Sequence, residues 1–421
     1  MNGASTHDGK GSHVKLGING LGRIGKLSLW HQVERGYFAE IVVNTGRPAG
    51  RSLEDIALFI EKDSTYGSLH HYLYGCRARR VIEQLDESSG RMLINGIPVT
   101  VLRQHRNPRH LDWRQHGVEL VLDATGKFRD PTLPAEHEGG SARGHLAAGA
   151  KKVVISAPFK ISEAAGSLPD DAVTTIAGIN DTDYDPQRHV IVSHASCTTT
   201  CLAYMLKPLI DSFGVDRILS VSMATVHAST GSQQVLDHLP KAGAKDLRRN
   251  RSIFNNIILT STGAAQALAQ VLPEMRKIPF IAESVRIPIN TGSLIILVVN
   301  FQEMPDRPYV DREQINRVYR EHAALDPRGY LRYTEEQNVS SDIIGLQGVA
   351  ATIEGHETHT RTAAVAIDLS RALPGDMVQR LPETTLEIPI TKAVIYGWYD
   401  NELGSYSSML ADRLISMAEL L

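Results

Sequence analysis

The sequence predicts a two-domain α/β protein, with a doubly wound parallel sheet first and an α+β domain carrying a mixed or antiparallel sheet second. Three observations predict it. Near the N-terminus a strand, a glycine turn, a helix and another strand succeed one another within about 30 residues, the opening of a parallel βαβ unit. Short apolar strands then alternate with helical stretches as far as residue 193, which favours a doubly wound sheet. Beyond residue 197 the strands become longer and richer in β-branched residues, the mark of a second sheet of another kind.

Taken in order, residues 14–19 read as a short buried strand, 24–35 as a helix and 39–44 as a second strand. Residues 117–124, 152–156, 173–177 and 190–193 continue the first sheet. The longer strands are 218–227, 281–287 and 293–301, and 405–421 has apolar positions at helical spacing. This last stretch is expected to pack back on the first domain, giving domains over 14–196 with 402–421, and over 197–401. Residues 132–145 and 355–385 hold Gly, Pro and charged clusters and read as surface insertions. No internal repeat is present.

A chain of 421 residues can bury two cores. Its net charge of −3 gives no general attraction to nucleic acid or membrane, so an anionic substrate needs a local cluster of Arg and Lys. The three cysteines, Cys76, Cys197 and Cys201, cannot build a disulfide framework and suit a reducing compartment. The polar start lacks the apolar stretch of a secretion signal, and no apolar run reaches the roughly 18 residues of a membrane span. A cytoplasmic protein is expected.

Gly20-Leu-Gly22-Arg-Ile-Gly25 fits a GxGxxG turn between strand and helix, where backbone can approach a pyrophosphate and helix N–H groups can bind it. The carboxylate expected about 20 residues on, which would grip a ribose 2′-hydroxyl, is missing. Thr45 stands there and Arg47 follows closely. An Arg pairs with a 2′-phosphate, so NADP use, or use of both NAD and NADP, competes evenly with a solvated Arg47.

Ser196-Cys197-Thr198-Thr199-Thr200-Cys201 leads into the apolar helical run LAYMLKPLI, which puts Cys197 at a helix start. That position favours a thiolate nucleophile. Cys201, one turn on, reads as a small core residue. His227 ends an apolar strand and is a candidate base for the thiol. His356 and His359 have ligand-like spacing but lie in a presumed insertion and read as surface, so no metal is expected.

Together these segments resemble glyceraldehyde-3-phosphate dehydrogenase, phosphorylating type. The resemblance rests on GINGLGRIG (17–25), KDSTYG (62–67), ASCTTTCLA (195–203), ATVHAST (224–230), DLRRNR (246–251), TSTGAA (260–265), SVRIP (284–288), EEQNVSSD (335–342) and WYDNE (398–402). It implies a Rossmann domain, a catalytic domain, a homotetramer, and glyceraldehyde 3-phosphate with inorganic phosphate as substrates. It makes Cys197 the nucleophile that forms a thioester and His227 the general base, with an imidazolium beside the thiolate. Arg23 and Ile24 would meet the pyrophosphate through their backbone, Arg106 and Thr125 would line the cofactor, and Asn401 would hold the nicotinamide amide. Thr230 and Arg286 would take the substrate phosphate. Ser196, Thr198, Thr262 and Gly263 would take the attacking phosphate, with Arg249 nearby.

The chain departs from the family at Thr200, where an Asn is usual, and at Ser232, where an acid is usual. Ser405 separates Gly404 from Tyr406 and so displaces a tyrosine, while Leu239-Pro240 resembles the NAD-using branch. Extra length falls at the N-terminus and at 68–90, 129–143 and 355–385. Two other readings are an erythrose-4-phosphate dehydrogenase, which the STGA segment argues against, and a regulatory or binding paralogue with little turnover.

Overall fold

In the computed structural model the described residues are 12–77, 79–162 and 166–421. They divide into two compact units, one formed by the chain up to Cys197 with Glu402–Leu421, the other by Thr198–Asn401. Among the described residues no helix is long and apolar enough to cross a membrane.

The first unit is built on nine strands: β1 (Ser12–Asn19), β2 (Phe38–Asn44), β3 (Ile82–Asp86), β4 (Arg91–Ile94), β5 (Ile97–Leu102), β6 (Val118–Asp123), β7 (Lys152–Ile155), β8 (Ala172–Thr174) and β9 (Ile191–Ser193). Their order across the sheet is β8-β9-β7-β6-β1-β2-β5-β4-β3. All pairs are parallel except β5–β4 and β4–β3 at one edge. Strands buried on both faces need continuous apolar runs, and β7 (KVVI) is buried throughout.

Helix α1 (Arg23–Arg35) follows the glycine turn and ends on Gly36, whose φ of 62° supplies the left-handed cap. Its Leu27 and Trp30 are fully buried, and the Trp30 indole donates to the Ile60 carbonyl at 2.8 Å, at the end of α2 (Leu53–Glu61). The C-terminal segment belongs to the same core: Leu410, Leu414 and Met417 of the last helix, Ser408–Ala418, join Leu27, Trp30 and Val33. Arg35 ties that helix down through Asp412 at 2.8 Å, and buried Arg413 pairs with Asp181.

The expected surface insertion at 132–145 is corrected. Its end enters the short helix α3 (Ala142–Ala147), capped by Ser141, whose hydroxyl accepts from the Gly144 N–H. Ala142 and His145 are fully buried. Segment 68–90 likewise contains a helical turn, Leu69–Tyr74, and edge strand β3.

The second unit begins at Thr198, one residue into α4 (Cys197–Phe213), whose Cys201 is buried. Its strands are β10 (Ile218–Ala228), β11 (Ile258–Thr260), β12 (Phe280–Ile287), β13 (Ser293–Gln302), β14 (Leu331–Thr334), β15 (Ala351–Glu354), β16 (His359–Asp368) and β17 (Thr385–Tyr399). The order is β11-β12-β10-β13-β17-β15-β14, with β16 also on β17. β10–β12 and β14–β15 are parallel and the rest antiparallel, so the sheet is mixed. β13 alternates buried and half-buried residues along its whole length, as a sheet covered on one face must. The second expected insertion, 355–385, is largely exposed as expected, but ten of its residues form a strand, β16, paired in register with β17.

Replacing Leu414 by Ala opens a cavity in a fully buried site shared by α1 and the C-terminal helix, at a cost of about 2–5 kcal/mol. The urea midpoint of the first unit should fall; an unchanged midpoint would show that the C-terminal helix adds nothing to that core.

Candidate active site

In the first unit the glycine turn is shaped by contacts that admit no side chain. Gly20 has φ 98°, and a Cβ on Gly25 would lie 1.8 Å from the Gly20 carbonyl oxygen. A Cβ on Gly22 would meet nothing within 4 Å, so its backbone faces open space where a pyrophosphate could approach. No side chain caps the first turn of α1. The Arg23 and Lys26 side chains point elsewhere: Asp63 of KDSTYG pairs with Arg23 and, at 2.8 Å, with Lys26, and Glu402 holds Arg23 from another side. Burial would raise the Asp63 carboxyl, but these two cations and the N–H groups of Thr65 and Tyr66 hold it down at about 2.

Beneath the turn lies a buried polar network. The fully buried Asp123 accepts from the Asn19 amide at 2.8 Å, from the Thr125 N–H and hydroxyl at 3.1 and 2.6 Å, and faces His145 Nε2 at 3.0 Å. The Trp113 indole can only donate, at 2.9 Å to His145 Nδ1, which places the ring proton on Nε2, aimed at Asp123. Asn44 donates to Asn19 and to the His105 carbonyl. This network clamps the residues on both sides of the turn, Asn19 and Thr125. Sequence reasoning missed Asp123 and His145, whose contact spans distant segments and leaves no local pattern.

A cavity of about 290 Å³ opens over the turn, lined by Gly20, Thr45, Arg47, Arg106, Thr125 and Lys127. A second, of about 550 Å³, shares Gly20, Thr45, Arg47, Thr125 and Lys127 and extends over Gly22, Ile56 and Phe59. The Thr45 hydroxyl donates to the Arg47 carbonyl at 2.6 Å and fixes that loop. Lys127 is a cation of this site that the motif search passed over, although it follows Thr125 in ATGKF. The one carboxylate lining these cavities, Asp55, accepts from the Arg51 N–H at 2.7 Å. An apolar slot beside open glycine backbone and three cations fits a dinucleotide.

Cys197 follows a tight elbow between β9 and α4. Ala195, buried and not a glycine, has φ 51°, a conformation that costs roughly 1–2 kcal/mol. It is held by the Ser193 hydroxyl, which accepts from the Ala195 N–H at 3.1 Å, and by the Tyr406 hydroxyl, which donates to the Ala195 carbonyl at 3.2 Å. The expected displacement of this tyrosine is resolved by the backbone. Leu403–Ser407 form one wide π-turn, which takes up an extra residue and leaves Tyr406 buried against the elbow. Burial, and then the Cys197 charge, keep the Tyr406 phenol protonated.

In the second unit, Thr198 and Thr225 both meet the Tyr399 hydroxyl, at 3.0 and 2.8 Å, and the Tyr399 ring stands edge-on to His227, 6.0 Å between centroids. This links the residue after Cys197 to the strand that carries His227. Register sets His227 of β10 beside Arg286 of β12. Nδ1 of His227 faces both the Ala228 carbonyl, at 2.8 Å, and the Arg286 guanidinium. It can donate to the first or accept from the second, not both; donation leaves the Nε2 lone pair to act as a base. Burial, reinforced by the Arg286 charge, pulls the His227 pKa down to about 3. Both effects favour the neutral ring over the imidazolium.

The remaining residues of this unit are placed singly. Asn401 Oδ1 accepts from Ser293 and Thr291 at 2.9 and 3.2 Å, which leaves its amide N–H groups as donors. Thr262 accepts from the Ala264 N–H at the start of α5 (Ala264–Val271), whose cap is Gly263. The Thr230 hydroxyl is bonded to Gln233 and Ser232. Arg249 is largely exposed and only loosely paired with Asp246, at 4.0 Å. Ser196 belongs to the elbow of the first unit. Thr200 is buried with no partner for its hydroxyl among the described residues.

A parallel sheet with a glycine turn under an open, cationic slot defines a dinucleotide-binding protein of the α/β class. Residues 14–131 match the family described as glyceraldehyde 3-phosphate dehydrogenase, NAD binding domain, and residues 196–368 match its C-terminal domain. The chain is 34% identical over 403 residues to glyceraldehyde-3-phosphate dehydrogenase 2 of Streptomyces avermitilis, covering 96% of this chain and 98% of that one. It is 32% identical over 406 residues to glyceraldehyde-3-phosphate dehydrogenase 2 of Bacillus subtilis, with 96% and 97% covered. The chain belongs to the glyceraldehyde-3-phosphate dehydrogenase family.

A depressed histidine pKa means that the unfolded chain binds a proton the folded one refuses, so stability contributed here is present above about pH 6.5 and falls as pH drops toward 3. The His227 ring should stay neutral at pH 5 in selectively ¹⁵N-labelled protein, and Arg286→Gln should raise its titration point. A ring already protonated at pH 6 would contradict the placement of Arg286 beside it.

Proposed function

We propose that the protein oxidises glyceraldehyde 3-phosphate to 1,3-bisphosphoglycerate, reversibly, through a thioester on Cys197. The observation that carries this reading is a cysteine at the first residue of a helix, reached through a strained elbow that two hydroxyls hold in place. A helix start favours the thiolate, the form that attacks an aldehyde.

The Cys197 thiolate adds to the aldehyde carbon and forms a hemithioacetal. The Cys197 N–H, at the helix start, steadies the oxygen as it gains charge. When bound, the nicotinamide dinucleotide supplies the hydride acceptor. His227, neutral and with Nδ1 donating to the Ala228 carbonyl, takes the hydroxyl proton at Nε2 as the carbon becomes a thioester carbonyl. Inorganic phosphate then attacks the thioester, expels the thiolate and leaves as the acyl phosphate. Arg286 and Thr230 take the substrate phosphate. Ser196, Thr198, Thr262 and Gly263 take the attacking phosphate, with Arg249 supplying charge. Asn401 donates to the nicotinamide amide, and Arg23 and Ile24 present backbone N–H groups to the pyrophosphate.

The cofactor is NADP as well as NAD in this reading. Arg47, Arg106 and Lys127 line the slot, and its single carboxylate is bonded to Arg51. The half-buried Leu294, Ile296 and Val298 on the open face of β13 support a homotetramer, since such a face needs covering. The low count of three cysteines supports a reducing, cytoplasmic setting. A low-turnover paralogue is the second reading, favoured by the unpartnered Thr200 hydroxyl.

The test is reduction of each cofactor with glyceraldehyde 3-phosphate and phosphate. Absence of turnover with both supports the second reading, and a preference for erythrose 4-phosphate assigns the related activity. Cys197→Ser should abolish turnover and keep cofactor binding; retained turnover means another nucleophile. Arg47→Ala should weaken NADP selectively, and an unchanged NADP/NAD ratio assigns Arg47 to solvent.

A further inference from the structure

The loop after β5 serves two cavities. Arg106 lines the cofactor slot, while its neighbour His105 lines a separate cavity of about 610 Å³ together with Arg109, His110, Asp112 and Arg114. None of the residues placed at the cofactor, the nucleophile or the phosphates of the reaction lines this second cavity.

Tight packing fixes the backbone beneath these side chains. Pro108–His110 form a 3₁₀ turn, begun by the Asn107 side chain, which accepts from the Arg109 N–H at 3.1 Å. Helix α3 lies so close that a Cβ on its Gly144 would stand 3.0 Å from the Arg109 nitrogen. Gly149, at φ 114°, would place a Cβ 2.6 Å from that of Arg114, whose N–H donates to the Ala148 carbonyl at 3.0 Å. Between Asp112 and Arg114 the fully buried Trp113 is anchored to His145. Above this frame the five polar side chains of the lining are all exposed.

Their charges are unmatched. On the same segments Arg103 and Arg143 pair with Glu87 and Asp171, each at 2.7 Å. By contrast, the side chains of His105, Arg109, His110, Asp112 and Arg114 have no hydrogen-bond or ion-pair partner among the described residues. Two guanidinium forks suit phosphate oxygens, and each imidazole offers an N–H donor in either charge state. Asp112 repels a bare polyphosphate but accepts from a hydroxyl. The volume falls among small-molecule sites, roughly 300–1,000 Å³, and is more than a lone phosphate fills.

We propose that this cavity is a second ligand site of the first unit and takes a sugar phosphate, with Arg109 and Arg114 on the phosphate and Asp112 on a sugar hydroxyl. The site stands independently of the proposed chemistry.

The test is calorimetric titration of the full-length protein, saturated with NADP, with fructose 1,6-bisphosphate, inorganic triphosphate and fructose. The bisphosphate should bind more tightly than triphosphate, and fructose should not bind. Arg109→Glu with Arg114→Glu should weaken the bisphosphate at least about tenfold, since two charge-assisted contacts are lost. NAD affinity in that variant should stay within about twofold, which shows that the unit is folded. Asp112→Asn should narrow the preference for the sugar bisphosphate over triphosphate. Arg286→Gln should leave bisphosphate binding unchanged. No binding at millimolar bisphosphate, or unchanged affinity in the double variant, overturns the site. Displacement by NADP assigns the ligand to the cofactor slot, and loss in Arg286→Gln assigns it to the reaction site; either overturns a second site. Tighter binding of triphosphate than of the bisphosphate overturns the sugar phosphate as occupant.

Discussion

The elbow at Ala195 is the constraint on which the chemistry depends. A buried alanine at φ 51° is uphill by itself, and it persists because Ser193 and Tyr406 bind its N–H and its carbonyl. Without that turn, β9 could not deliver the chain straight into the first turn of α4, and Cys197 would lose its place at the helix start. Tyr406 comes from the far end of the sequence. The first unit therefore needs its C-terminal segment for stability and also for the shape of its reactive corner.

The cofactor slot follows the same logic of rigid support beneath an open surface. Asp123 carries no function at the surface, yet it binds Asn19 on one side of the glycine turn and Thr125 on the other. His145, its tautomer set by Trp113, completes the cradle. Above this floor the lining is cationic, and choice between cofactors falls to exposed side chains that carry little of the fold.

Much of this was legible in the residues. The strand and helix order followed from period-two and period-3.6 patterns, and the glycine turn and Cys197 stood out because their chemistry is local. Four things were not legible, for physical reasons. The Asp123–His145–Trp113 network joins segments far apart in sequence, and His145 sits in a stretch whose Gly, Pro and charge content reads as surface. The π-turn at Leu403–Ser407 absorbs an added residue in the backbone, so sequence alone registers only a displaced tyrosine. The neutral state of His227 comes from burial and from a neighbour that only strand register supplies, Arg286. The 355–385 segment concealed a strand because its alternation, TAAVAID against LEIPIT, is separated by a stretch with loop composition.

The central claim is that the Cys197 sulfur carries the substrate acyl group. Mixing the protein with glyceraldehyde 3-phosphate and excess cofactor, without inorganic phosphate, and taking peptide masses after an acid quench tests it most directly. The account predicts a phosphoglyceroyl adduct confined to the peptide containing Cys197, which disappears when phosphate is added. An unmodified Cys197 under turnover conditions, or an adduct on another residue, would contradict it.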